Sequence, residues 1–169
     1  AFMLNTNKSN TNAIEGNDTE QQTENTEQTE NTNSLTINTE SKELTIEVKD
    51  QPVFAVLPVQ VTVEEATQAG YTLTAYTDNT DLVSTTNPNN KIPMVALPET
   101  AGELSPLTDN TYGLALGEEP TTKDAEVYMP LSIDSDIPTI IKSMPEYTPT
   151  AENDTTTIYY GFYITPDIP

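Results

Sequence analysis

The residues with most chemical potential in this chain are carboxylates in pairs: Glu64-Glu65, Asp78 with Asp81, Glu118-Glu119, and Asp134 with Asp136. Loop carboxylates and carbonyls are what Ca²⁺ takes as ligands, so calcium is the one ion this set invites. None of the pairs follows the spaced Asp/Asn–Gly pattern of an EF-hand, and 27 acidic residues put some side by side by composition alone. Two carboxylates can also hydrolyse a glycoside, one as acid and one as base or nucleophile. That chemistry usually needs a cleft lined with sugar-stacking aromatics, and the chain has no tryptophan. Tyr159, Tyr160 and Tyr163 would suit a stacking strip, but packing within a strand accounts for them more simply.

Other catalytic arrangements fall on what is missing. Histidine and cysteine are absent, which removes the usual neutral-pH base, the thiol nucleophile, disulfides and zinc sites. No GxSxG elbow is present, and the 6 glycines form no phosphate loop. Lys49 and Lys142 are the strand-associated lysines that a Lys–Asn isopeptide bond would draw on, although solvated side chains are the simpler reading. The expectation is a non-enzyme with no catalytic residues and no cofactor, calcium being the sole candidate ion.

The formal charge is -21. A field of that sign repels phosphate backbones and anionic lipid surfaces, which argues against nucleic-acid partners. No apolar run approaches the roughly 18 residues of a membrane span, so direct membrane insertion is not expected. Hydrophobic content is 34%, against about 45–50% on a slightly wider residue list in globular proteins. The deficit is concentrated at the start. Residues 5–34 are a tract of Thr, Asn, Glu and Gln with recurrent TEN/TEQ units and no hydrophobic period. Such a segment buries too little apolar surface to offset its ordering entropy, so it reads as a stalk or spacer. The division expected is an acidic tail over 1–40 and a β-domain over 41–169.

The elements that must position everything else are strands. TTTIYYGFYITPDIP, at 155–169, alternates Ile158, Tyr160, Phe162 and Ile164 against Tyr159, Gly161 and Tyr163. A strict period of two in aromatic and β-branched residues is the strand signature. Leu44, Ile46 and Val48 alternate likewise, and VFAVLPVQVTV resumes the period after Pro58, which marks an edge or a change of sheet. EEATQAG then reads as a turn into GYTLTAYT, giving a β-hairpin. Shorter strands are expected at DLVST, KIPMVALP, Tyr112–Leu116, Val127–Leu131 and PTIIKSMP. The 13 prolines at element ends exclude long helices. Many short strands with turn signals predict an all-β, antiparallel sandwich. Leu44, Ile46, Val48, Val61, Leu73, Tyr112, Ile158, Tyr160 and Phe162 should form its core.

Taken in order, Val59–Val63, GYTLTAYTDNTDLVS, KIPMVALP, NTYGLAL and DTTTIYYGFYITPDIP carry a family likeness. The stretch from Leu44 to Pro169 resembles an Ig-like β-sandwich domain of secreted, cell-surface proteins of small-genome, candidate-phylum bacteria. It departs from that pattern at Tyr112, where a tryptophan is usual, and in lacking the closing turn and final strand. The resemblance implies an extracellular, non-enzymatic surface module without cofactor or catalytic residues.

A sheet that wants one more strand leaves an apolar groove and a row of unpaired backbone groups. An extended segment from another chain can fill it. The expected donor is Leu35-Thr36-Ile37, with Phe2-Met3-Leu4 as a smaller second choice, and the expected acceptor is the edge beside Ile158, Tyr160, Phe162 and Ile164. The partners expected are copies of the same chain in a surface filament. The alternative is a monomeric adhesin or ligand-binding module that meets a host or neighbouring-cell surface.

Overall fold

The computed structural model of the chain describes residues 36–39, 44–64, 71–84, 87–96, 103–145 and 154–166. Within them the fold is all-β, without a helix, and every strand ladder is antiparallel. The strands are β1 (Thr36–Thr39), β2 (Val53–Glu64), β3 (Tyr71–Ala75), β4 (Asp81–Val83), β5 (Lys91–Pro93), β6 (Thr111–Leu116), β7 (Thr139–Met144) and β8 (Asp154–Ile164). Four of them form the main sheet in the order β1-β2-β8-β6, while β3 pairs with β7 and β4 with β5.

β8 lies at the centre. It pairs along its whole length with β2, from Val53↔Ile164 to Val63↔Asp154, and on its other side with β6, from Thr111↔Tyr163 to Leu116↔Ile158. Its alternation explains the place: Ile158, Tyr160, Phe162 and Ile164 are buried on one face, and Tyr159 and Tyr163 are half-buried on the other. A strand apolar on both faces is covered on both faces. On the first face, Val59, Val61, Leu114 and Phe162 meet Leu73 of β3, Ile141 of β7 and Ile92 of β5. Burying each such side chain contributes about 1.5–3 kcal/mol before entropy is charged against it. The Tyr112 ring stacks on Phe162 with centroids 6.0 Å apart and planes 19° from parallel.

The second face carries a smaller core of Val95, Leu107, Ala115 and Tyr128, flanked by Phe54, Tyr159 and Tyr163. Gly113 and Gly161 stand opposite each other in the β6–β8 register, and both lie under Tyr128. A Cβ on Gly113 would sit 2.8 Å from Tyr128 Cβ, and one on Gly161 would run into the ring at Cε1. The paired glycines therefore form a slot that only bare backbone can make. Tyr128 fills it with 0% exposure. Its hydroxyl donates to the Thr122 carbonyl at 2.8 Å, and burial pushes its pKa up to about 12.

Several expectations change. Residues 44–48 do alternate, with Leu44, Ile46 and Val48 half-buried against the main core, yet they join no ladder. Their period records packing onto a core, not strand pairing. Val61, Leu73, Tyr112, Ile158, Tyr160 and Phe162 are buried as expected. The expected hairpin of β2 with β3 does not form, because β3 pairs with β7 instead, with a register shift between Leu73 and Thr74. Val127–Leu131 is not a strand: Tyr128 bridges Ser105 and Met129 bridges Leu114 singly. The Met129 bridge, with Met94↔Tyr112, covers the outer edge of β6. Pro58 sits where β2 pairs with β8 only, since β1 reaches no further than Val61. That is an edge position, which a residue without an N–H can occupy.

Candidate functional site

Inter-strand pairing is the function expected of particular residues, so the edges of the main sheet come first. Leu35, Phe2-Met3-Leu4 and residues 5–34 lie outside the described residues. Thr36 and Ile37 fall in β1, opposite Glu64 and Val63 of the same chain's β2. The main sheet thus begins inside the stretch assigned to the tail. Ile158, Tyr160, Phe162 and Ile164 point into the main core, and their backbone is flanked by β2 and β6. Over Ile158–Tyr163 the backbone of β8 is paired on both sides within the chain. The physical reason is the two-faced apolar pattern of β8, which belongs in the middle of a sheet. Within one chain, β2 lies between β1 and β8.

The edge that does receive the tail-side strand is the outer edge of β2. β1 covers it over Val61–Glu64, in the register Thr36↔Glu64, Ile37↔Val63, Asn38↔Thr62 and Thr39↔Val61. On β2 the odd positions Val61 and Val63 face the core, while Thr62 is turned outward and its Oγ1 lies 3.1 Å from Thr155 Oγ1.

The acidic pairs remain separate. Asp81 faces Lys91 at 3.5 Å, Asp78 and Glu118-Glu119 are exposed, and Glu65 lies outside the described residues. Asp134 Oδ1 accepts the Asp136 N–H at 2.9 Å, closing a local turn. Among the described residues no group of three or more acidic side chains is placed to hold a metal ion. Lys49 is exposed, 3.9 Å from Glu47.

Lys142 is different, and its partner had no signal in the sequence. Its ammonium donates to both carboxylate oxygens of Asp154, at 2.7 and 2.8 Å, and the Tyr71 hydroxyl donates to Asp154 Oδ2. Tyr71 is on β3, Lys142 on β7 and Asp154 at the start of β8, so this cluster ties the β3–β7 pair to the main sheet. Local patterning could not reveal it, because it depends on how two sheets stack. Burial alone would push the Asp154 carboxyl up. The hydrogen bonds from Lys142 and Tyr71, helped by the lysine charge, outweigh burial and hold it below the ordinary carboxylate value.

A depressed folded-state pKa means that the ionised form is favoured by folding. The cluster's contribution is therefore fully present above the unfolded aspartate value near 3.8 and is lost as pH falls through the lower folded value. Asp154→Asn should cost about 1.5–3 kcal/mol at pH 7, the range for hydrogen bonds to charged groups. It should also flatten the acid limb of stability against pH, and urea midpoints from pH 7 to pH 2 would show both effects. An acid limb that is unchanged in the variant would refute the assignment.

The chain matches no family model, no curated protein and no solved structure.

Proposed function

We propose that this chain is a non-enzymatic, extracellular structural subunit: an Ig-like β-sandwich carried on an acidic stalk and assembled into surface filaments by strand pairing between copies. One observation carries the reading. The strand that adjoins the low-complexity tract, β1, joins the domain at an outer sheet edge, against β2. Backbone pairing at a sheet edge is the contact that β-augmented assemblies use. The likeness of Leu44–Pro169 to Ig-like surface modules supports the same reading, as does a stalk composition that favours an extended spacer. The charge of -21 keeps copies apart in solution and favours association through directed backbone bonds over lateral adhesion.

A second reading, the monomeric adhesin, is favoured by a different feature. Ile133, Ile137 and Ile140 are 63%, 73% and 62% exposed on and beside β7. Exposed apolar side chains of this kind suit contact with another surface. Negative-stain microscopy of the purified full-length protein separates the two readings. Fibres of uniform width that lengthen with concentration are expected, and isolated particles at every concentration and salt tested would overturn the filament reading.

A further inference from the structure

We infer that the outer edge of β2 at Val61–Glu64 is a strand-exchange site, where Thr36–Thr39 of a second copy takes the place held here by the chain's own β1. This rests on the filament reading and deepens it by naming acceptor, donor and register.

The attachment of β1 makes exchange inexpensive. Within the main sheet, β1 is bonded to β2 alone, through the four residue pairs from Thr36↔Glu64 to Thr39↔Val61. The connection that follows has its own hold on the domain, since Leu44, Ile46 and Val48 pack against the main core. Releasing β1 therefore leaves those contacts in place. A second copy offers the same residues to the same edge in the same register, so the exchanged pairing loses no contact and needs no new surface. That is the condition under which identical elements swap between protomers.

Geometry then decides what is built. Two chains that trade strands reciprocally close into a dimer. A chain that gives its strand to one neighbour and accepts from another leaves a donor at one end and an acceptor at the other, which generates an open filament. Charge tunes the balance. The donor segment Thr36-Ile37-Asn38-Thr39 has no ionisable side chain, whereas the chain around it carries -21. Repulsion between copies is screened as ionic strength rises, so exchange should increase with salt.

The chain has no cysteine, so introduced thiols are the only ones present. Asn38→Cys and Thr62→Cys, in separate full-length chains, place one thiol on each side of an observed pair. Ser143→Cys, on the exposed face of β7, serves as the collision control. After mixing at high salt and mild oxidation, the 38–62 disulfide between chains should exceed the 38–143 product by roughly tenfold or more, the advantage of a held pair over random encounter. Equal yields would overturn the proposal. So would a double variant, Asn38→Cys with Thr62→Cys, that closes wholly within one chain while the mixed single variants stay unlinked. Fibres seen together with that result would leave the filament reading standing on some other contact. Isolated particles and no cross-chain disulfide would remove both.

Discussion

Gly161→Ala should lower the stability of the domain by about 3 kcal/mol, the upper end of the range for overpacking a core. The added methyl meets Tyr128 at its ring edge, and that ring is fully buried between the second core and the sheet. It has little freedom to yield, because its hydroxyl is tied to the Thr122 carbonyl. The corresponding fall in Tm is on the order of 10 °C. Gly117→Ala is the informative control. Gly117 has φ of 90° but nothing within 4 Å of an added Cβ, so its cost is backbone strain without a clash. That cost should be about 1 kcal/mol. Calorimetry of the two variants beside the parent tests the slot directly. If Gly161→Ala melts with or above Gly117→Ala, the glycines are not there to admit the tyrosine.

Phe162→Ala should cost about 3–5 kcal/mol, as large aromatic truncations in cores do. Phe162 is buried on the opposite face of the same strand and stacks on Tyr112. Neighbouring residues on β8 thus serve separate cores, Gly161 the smaller and Phe162 the larger. Because both cores share one strand, the loss of either should unfold the whole in a single transition. Urea unfolding followed by tyrosine fluorescence and by circular dichroism should give coincident curves for both variants. Two separated transitions in either one would show that the cores fail independently.

Much of the architecture was legible before any coordinates. The period of two at Ile158–Ile164 gave the face of each side chain, and the prolines excluded long helices. What alternation cannot give is the partner of a strand. The run GYTLTA reads equally well as a hairpin with VFAVLPVQVTV or as the mate of a distant TIIKSM, and the structure has the second. Leu44, Ile46 and Val48 show the converse error, since alternating burial arises wherever an extended chain lies on a core. Nothing in the alternation singles out Gly113 or Gly161. Only the register, which sets them opposite each other, reveals a binding slot for Tyr128. The same limit applies to Thr36 and Ile37: their alternation marks an extended segment, but not that its partner within the chain is β2. The clue was in the chain, because Tyr159 and Tyr163 make β8 apolar on both sides.

The placement of β8 also dictates a sequence of events. The strand that joins β2 to β6 is the last of the described strands to leave the ribosome. Until it emerges, β2 and β6 have no common neighbour, and pairing across so long an interval is intrinsically slow. The main sheet therefore assembles around its latest arrival. Until it arrives, the apolar strands that precede it lack their central partner. The dense negative charge upstream, by keeping nascent copies apart, gives them the time to wait.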